Sequence, residues 1–241
     1  MTIAVMIEKM SEGLGRTCSI FFLTLLFALP LGLVMALLRR SRFGAIRGIM
    51  RALISVLRGT PLMLQLLAVT YGPFYIARMI KAVAVESGAE WFLSLANTIS
   101  DMTFFKVCPE KLVPIIIGFS INYAAYFAEI YRGGIESMPV GQYEAAAVLG
   151  YNKFQTFMRI ILPQVIKRIL PSVTNEVITL VKDTSMAFTV AYQEMFTIGK
   201  QIASSQASFT PFLIAGVFYY VFNSLVAFVM SRIEKSLNYY R

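Results

Sequence analysis

Long apolar runs separated by short polar stretches dominate the pattern of this chain. They cover residues 17–38, 52–76, 112–131, 169–192 and 211–230. Each run has about the 20 residues that an α-helix needs to cross the hydrocarbon core of a bilayer. The second run contains a helix break at Gly59-Thr60-Pro61, and the fourth run is the most polar. The pattern predicts one all-α membrane domain over residues 1–241, with five transmembrane helices.

Lysine and arginine are distributed unevenly between these runs. Thirteen lie in the stretches 39–51, 132–168 and 232–241, and seven lie in the stretches that alternate with them. Cytoplasmic loops of membrane proteins carry an excess of basic residues. The asymmetry therefore predicts that the N-terminus lies outside the cell and the C-terminus inside.

Composition agrees with a membrane protein and narrows the possible chemistry. The chain is 57% hydrophobic and only 15% charged, whereas soluble domains are about 25% charged. The net charge is +9, but no basic face interleaved with aromatic residues predicts a nucleic-acid partner. The chain has no histidine, and Cys18 and Cys108 form no CxxC pair. We therefore expect neither a metal site nor a catalytic constellation.

The polar stretch 139–164 has the pattern of two short amphipathic helices joined at Gly150. The first is predicted over residues 142–149, and glycine ends it because glycine adopts the left-handed conformation without a Cβ clash. Its alanines 145–147 would let a partner surface approach closely. Helices this short need a surface to pack on. That surface is either the protein's own membrane helices or the groove of a cytoplasmic partner.

The second helix of this stretch has a predicted start, face and end. Asn152 and Gln155 stand at the positions of a reciprocal capping box. An apolar face is predicted from Phe154, Phe157, Met158 and Ile161. Pro163 is expected to end the helix.

Polar side chains recur at helical spacing inside three of the apolar runs. They are Ser55, Arg58 and Gln65 in the second run, Asn122, Tyr126 and Glu129 in the third, and Ser172, Glu176, Thr179 and Asp183 in the fourth. A charged side chain at the bilayer centre costs ~2.5–3.5 kcal/mol on insertion scales, so such residues usually face an aqueous cavity or a partner. The three stripes predict a wet interior that carries both signs of charge.

A free amino acid would suit this interior, because it carries an ammonium and a carboxylate. Acidic side chains suit the ammonium, and a cation or a free helix N-terminus suits the carboxylate. The predicted substrate-binding residues are Asp183, Thr184, Ser185, Thr60, Arg58, Gln65 and Glu129. Structural ion pairs are the alternative for the charged members. Glu129 could pair with Arg132, and Asp183 with Arg58.

The stretch 144–163 matches a known signature. Glu144, Ala145, Ala146, Gly150, Ile160, Leu162 and Pro163 fit the pattern E-A-A-x3-G-x9-I-x-L-P at every spacing. The stretch therefore resembles the EAA loop of the permease subunits of bacterial ABC importers. The stretches 57–66, 126–146 and 175–186 resemble the polar amino acid branch of that family, whose members carry solutes such as histidine, glutamate, glutamine, arginine and opines. The stretch 71–113 is longer than the usual branch pattern.

The resemblance implies a type I permease core in the bacterial cytoplasmic membrane, with a cytoplasmic coupling helix. Its coupling residues would be Glu144, Ala145, Ala146, Gly150, Leu162 and Pro163. It also implies three kinds of partner: ABC ATPase subunits, a second permease copy or paralogue, and an extracytoplasmic solute-binding protein.

No G-x4-G-K-[ST] phosphate loop occurs in the chain, so we expect a transport subunit without a cofactor, whose partner uses ATP and Mg²⁺. The function expected is passage of a polar amino acid through an ATP-driven importer. The alternative is an ion-coupled secondary transporter of a small zwitterionic solute, with Glu129, Glu176 and Asp183 as a relay. The sequence does not distinguish which amino acid is carried.

Overall fold

The computed structural model describes residues 1–87, 90–100 and 111–237, so Cys108 lies outside the described residues. The predicted all-α class is confirmed, because the described residues form helices and contain no strand. The helices are α1 (Ile3–Arg39), α2 (Gly44–Gly59), α3 (Leu62–Ser87), α4 (Glu90–Ser100), α5 (Leu112–Glu136), α6 (Val140–Val148), α7 (Lys153–Thr156), α8 (Leu162–Asp183), α9 (Met195–Gln206) and α10 (Thr210–Ser236). A π-helical turn, Phe157–Ile161, joins α7 to α8, and a 3₁₀ helix, Thr184–Val190, follows α8.

Three of the described helices are long enough and apolar enough to cross a membrane, namely α1, α5 and α10. Helices α2 and α3 meet the test only as a pair, which is either one broken span or a re-entrant segment, and the chain is interrupted between Gly59 and Leu62 where the sequence predicted a break. Helix α8 does not meet the same test of length and hydropathy, since it carries several charged residues. The count of five spans and the orientation stay predictions.

Helix α1 begins well before the apolar run that predicted it. It starts at Ile3 and has 37 residues, because its first turns also have a surface to pack on. Met6 and Met10 are buried, and Thr17 accepts a hydrogen bond at its hydroxyl from the backbone N–H of Met195, with 3.3 Å between donor and acceptor. The N-terminal segment is therefore part of the packed structure.

The predicted helix end at Pro163 is wrong. The chain is helical without interruption from Lys153 through the π turn to Asp183. Pro163 therefore lies within a continuous helix, where its missing N–H removes one backbone hydrogen bond. In the π turn before it, the Leu162 N–H donates to the Phe157 carbonyl five residues back. This wider turn changes the backbone register just before the proline.

The chain divides into two compact units, each built from three separate stretches. The first unit comprises Met1–Thr24, Gly59–Asn122 and Asp183–Val217, and the second comprises Leu25–Arg58, Tyr123–Lys182 and the chain from Phe218 onward. Small residues allow close helix contacts inside each unit, as is common in membrane proteins. In the first, a Cβ on Gly13 would lie 2.7 Å from the Cα of Met195.

Helices α1, α2 and α5 form the core of the second unit. The buried residues of this core are Met35, Ala36, Ile54, Ala124, Ala125 and Ala128. A Cβ on Gly32 of α1 would lie 2.8 Å from the Cβ of Phe127 and 2.9 Å from the carbonyl oxygen of Ala124. Gly134 of α5 is similarly close to Ile169 of α8. Glycine is therefore required where these helices meet.

We expect Gly32→Val to separate α1 from α5, because the new side chain meets backbone that has no room to shift. Overpacking of this kind costs about 1–3 kcal/mol. The purified Gly32→Val protein in detergent should therefore unfold at a lower temperature than the wild type. The matched control is Gly216→Val on α10, where no atom lies within 4 Å of an added Cβ. Equal unfolding temperatures for the two variants would contradict the assignment.

Candidate functional site

Helix α6 ends in the left-handed turn that the sequence predicted. Gly150 has φ +77°. Its N–H donates to the Ala147 carbonyl and the Tyr151 N–H donates to the Ala146 carbonyl, each at 3.0 Å. No atom lies within 4 Å of the position that a Cβ would occupy. A side chain at residue 150 would therefore strain the backbone without clashing with a neighbour.

The capping box that begins the next helix is also confirmed. The Gln155 N–H donates to Asn152 Oδ1 at 2.9 Å, and the Asn152 N–H donates to Gln155 Oε1 at 3.0 Å. The Thr156 hydroxyl donates to the Asn152 carbonyl at 2.9 Å. These three bonds fix the direction in which the chain leaves Gly150 and enters α7.

The predicted apolar face of this second helix is only partly correct. Ile161 is buried and Phe157 packs beside it, in a cluster with Ile135, Met138, Val165, Ile160 and Ile169. Phe154 and Met158 are instead 72% and 44% exposed. The prediction used the spacing of a regular α-helix. The π turn widens the helix at Phe157–Ile161 and so changes which side chains share a face.

One end of this region presents apolar side chains to the surroundings. We call Val140–Ile161 the coupling loop, after the role that the family resemblance implies for it, and its most exposed apolar side chains are Val140, Val148, Leu149 and Phe154. Ala145, Ala147 and Glu144 are exposed beside them. Ala146 is only 1% exposed, so the prediction of an accessible alanine surface is correct for Ala145 and Ala147 but wrong for Ala146. The helix turns Ala146 toward its own protein.

Side-chain hydrogen bonds fasten the coupling loop to α8. Gln164 Nε2 donates to Gln142 Oε1 at 3.2 Å. The Arg168 guanidinium donates to the Ser137 carbonyl. The first bond joins α6 to α8, and the second joins α8 to the chain between α5 and α6.

In the first compact unit, the helix break places three polar side chains in one hydrogen-bonded group. Gln65 Nε2 donates to Thr60 at its hydroxyl, 2.8 Å away, and at its carbonyl, 3.2 Å away. Asn122 Nδ2 donates to Gln65 Oε1 at 3.1 Å. The structure therefore brings the predicted residues Thr60 and Gln65 together. It adds Asn122, which lies on a predicted polar stripe but was not in the predicted set.

Glu129 and Arg58 belong to the second unit and have partners there. Arg132 donates to the Glu129 carboxylate at 2.8 and 3.0 Å, and Arg39 pairs with the same carboxylate. The alternative ion pair of Glu129 with Arg132 is therefore confirmed, and Arg39 extends it. The Arg58 guanidinium carbon lies 5.2 Å from the centre of the Tyr126 ring, which is a cation–π distance.

Asp183 lies at a change of helix type rather than inside a regular span. It is the last residue of α8, and the 3₁₀ helix begins at Thr184. Thr184 is fully buried, while Asp183 and Ser185 are half-buried. Mid-chain 3₁₀ segments often mark hinges. The predicted trio Asp183, Thr184 and Ser185 is thus placed at a junction that the apolar pattern did not reveal.

A groove of about 550 Å³ in the first unit was missed by the sequence reasoning. It is lined by Phe188, Ala191, Thr197, Lys200, Gln201, Ser204 and Ser205. Glu194, which is fully buried, fixes the start of α9 by accepting from the backbone N–H groups of Phe196 and Thr197, each at 2.7 Å. The spacing i, i+3, i+4, i+7, i+8 from Thr197 to Ser205 is the signal that could have revealed this polar face.

The family described as "Binding-protein-dependent transport system inner membrane component" matches residues 28–239. This match takes in the coupling loop, the helix break and the α8 junction. The chain belongs to this family. It is therefore an inner-membrane transport subunit, not an enzyme, and its all-helical architecture is the fold of an ABC importer permease.

Individual relatives agree with this assignment. The chain is 31% identical over 229 residues to the probable amino-acid permease protein YxeN of Bacillus subtilis, covering 94% of this chain and 90% of the relative. It is 30% identical over 241 residues to the nopaline transport system permease protein NocM of Agrobacterium fabrum, covering 97% and 89%. The solved crystal structure of an amino acid ABC transporter with histidines is similar at a TM-score of 0.75 and 26% identity, covering 98% of this chain and 99% of that chain.

The opposite exposures of two neighbouring alanines of the permease predict opposite effects on the loop. Ala146→Glu would bury a carboxylate that has no partner of opposite charge, which destabilises a structure strongly. We expect it to loosen the coupling loop and to speed tryptic cleavage after Lys153 in the purified permease. Ala145→Glu, the matched control, should leave the rate near that of the wild type. Equal cleavage rates for both variants would show that Ala146 is not packed as described.

Proposed function

We propose that this permease forms the translocation pathway for a polar amino acid in an ATP-driven importer. The observation that carries the proposal is the coupling loop, an exposed apolar surface on a family signature that is fastened to a long helix. The relatives named as amino-acid and nopaline permeases support the substrate class. Membership of a binding-protein-dependent family favours this function over ion-coupled secondary transport.

The proposed assembly has three further components. ATPase subunits dock on the coupling loop, a second permease copy or paralogue completes the pathway, and a solute-binding protein delivers the solute at the outer face. The chain has no phosphate loop of its own, so ATP and Mg²⁺ are used by the ATPase subunits. The predicted orientation places the groove at Lys200 on the outer side, where a binding protein docks.

The coupling step follows from the connections of the loop. An ATPase subunit that seats on Val148, Leu149 and Phe154 covers apolar surface, which is favourable at roughly 25 cal/mol per Å². When ATP binding moves that subunit, the loop moves with it. The Gln142–Gln164 bond, the Arg168–Ser137 bond and the buried cluster around Ile161 carry the displacement into α8. The far end of α8 is Asp183.

We expect Ala145→Glu and Gly150→Val to weaken coupling while the protein still inserts. Ala145→Glu adds bulk and charge to the docking surface, and Gly150→Val opposes the left-handed turn that sets the angle between α6 and α7. The measurement is solute-stimulated ATPase activity of the reconstituted complex, with the amount of bound ATPase subunit determined in parallel. Gly141→Ala serves as the control, since an added Cβ there meets no atom within 4 Å. If solute stimulates the ATPase activity of both variant complexes as strongly as that of the wild type, the loop is only a surface hairpin.

The proposed solute site uses polar groups at the two helix interruptions of the first unit. Asp183 faces the solute ammonium, with Thr184 and Ser185 beside it. Thr60 and Gln65, held by Asn122, contribute a hydroxyl and an amide to the solute carboxylate. Glu129 is neutralised by two arginines and serves in structure.

We expect Asp183→Asn to lower the rate of solute uptake about tenfold or more, because a hydrogen bond to a charged group contributes about 1.5–3 kcal/mol. Basal ATPase activity and affinity for the binding protein should stay close to wild type. The control is Glu8→Gln, which removes an exposed carboxylate from α1. A loss of assembly in Asp183→Asn that is restored, together with uptake, by adding Arg58→Gln would refute the solute contact. That pattern would indicate a structural ion pair.

A further inference from the structure

A set of arginines between α1 and the middle of α2 has no carboxylate partner in the described part of the chain. Arg40, Arg42, Arg47 and Arg51 are all exposed. Arg42 lies against the ring of Phe43, with 5.0 Å between the guanidinium carbon and the ring centre. The segment 39–59 contains no acidic residue. Its positive charge is therefore not neutralised locally.

The nearby carboxylates are already occupied. Glu129 is paired with Arg39 and Arg132, and Glu136 is paired with Arg132. These ion pairs neutralise Arg39 and Arg132. They leave the four arginines of the segment 40–51 as a surplus of charge at the end of a helix that is long enough to cross a membrane.

Helix α2 has three different sides. Ile54 is buried and Leu57 is partly buried, and both pack in the core of the second unit. Arg47, Arg51 and Arg58 follow i, i+4, i+11 and share a second side. The third side is apolar and exposed, and consists of Ile46, Ile49, Leu53 and Val56. The arginine side lies nearly opposite the exposed apolar side, and a helix with this arrangement is suited to the boundary between headgroups and acyl chains of a bilayer.

We propose that α2, together with Arg40 and Arg42, is a binding surface for the headgroups of anionic phospholipids. Guanidinium groups bind phosphate oxygens in bidentate geometry, and a basic cluster next to a membrane-spanning helix attracts anionic lipid. The exposed isoleucine, leucine and valine side chains contact the acyl chains of the same lipids. The predicted orientation places this surface in the cytoplasmic leaflet.

An acidic protein surface would use the arginines but not the rest of α2. Ile49 is 63% exposed and Val56 is 60% exposed, and a purely electrostatic partner would leave both in water. A lipid satisfies the charged and the apolar side together. The combination of the arginine side with the exposed apolar side, rather than the charge alone, therefore favours a phospholipid over an acidic protein.

The test compares lipid retention by purified full-length permease in detergent, measured by native mass spectrometry. The protein is incubated with equal amounts of phosphatidylglycerol and phosphatidylcholine that carry the same acyl chains. We expect the wild type to retain phosphatidylglycerol preferentially. The variant Arg42→Gln, Arg47→Gln, Arg51→Gln should lower the ratio of the two bound lipids about tenfold or more, since each basic residue near an anionic surface contributes about fivefold.

Two matched variants keep the result interpretable. Arg42→Lys, Arg47→Lys, Arg51→Lys retains the charge and should retain most of the preference. Arg78→Gln, Lys81→Gln, Lys200→Gln removes three charges elsewhere and should leave the ratio unchanged. Circular dichroism confirms that each variant is folded. Because the measurement needs neither ATPase nor solute, its outcome is independent of the proposed transport function.

Two results would overturn the proposal. One is an unchanged lipid ratio in the glutamine variant, which would assign the arginines to another partner. The other is displacement of phosphatidylglycerol by inorganic phosphate, which would indicate a simple anion site.

Discussion

The backbone of a membrane helix has no water with which to exchange hydrogen bonds, so each interruption needs partners from within the protein. At the Gly59–Pro61 break, the Gln65 side chain donates to the Thr60 carbonyl and is itself held by Asn122. At the end of α8 the chain does not unwind but continues as a 3₁₀ helix, in which the bonds are only rearranged. The requirement that backbone groups stay paired therefore determines which polar side chains gather, and where.

The same requirement shapes the connection between the coupling loop and α8. A proline inside a helix usually kinks or stops it. Here the π turn over Phe157–Ile161 leads directly into α8, and the Leu162 N–H just before Pro163 still donates to the Phe157 carbonyl. The loop and Asp183 are therefore connected by one continuous helical segment. Gln142 and Arg168 add side-chain hydrogen bonds near the loop end of this segment.

Sequence reasoning was most successful where one local rule decides the structure. The Gly150 turn, the Asn152–Gln155 capping box and the break before Leu62 each depend on a few neighbouring residues, and all three were predicted. It failed where helical periodicity changes. The fixed spacing placed Phe154 and Met158 on the same face as Ile161, but Ile161 is buried and the other two side chains are exposed. It also placed Asp183 inside a regular span, although the helix changes type at that residue. A π or 3₁₀ turn has no strong local signal, since its energy comes from tertiary packing.

Ion pairing in the second unit shows why charge alone is a poor guide to a transport site. Glu129 lies on a polar stripe of an apolar helix, as a solute ligand would, yet two guanidinium groups neutralise it. Ion pairing neutralises Arg39 and Arg132 and holds α1 against α5. The carboxylates of Glu129 and Glu136 are then both paired. The remaining arginines of the segment 40–51 therefore have to find their counter-charges outside the described chain. A polar stripe indicates that a helix face is not bathed in lipid, but whether it serves solute or structure depends on what the neighbouring helices place opposite it.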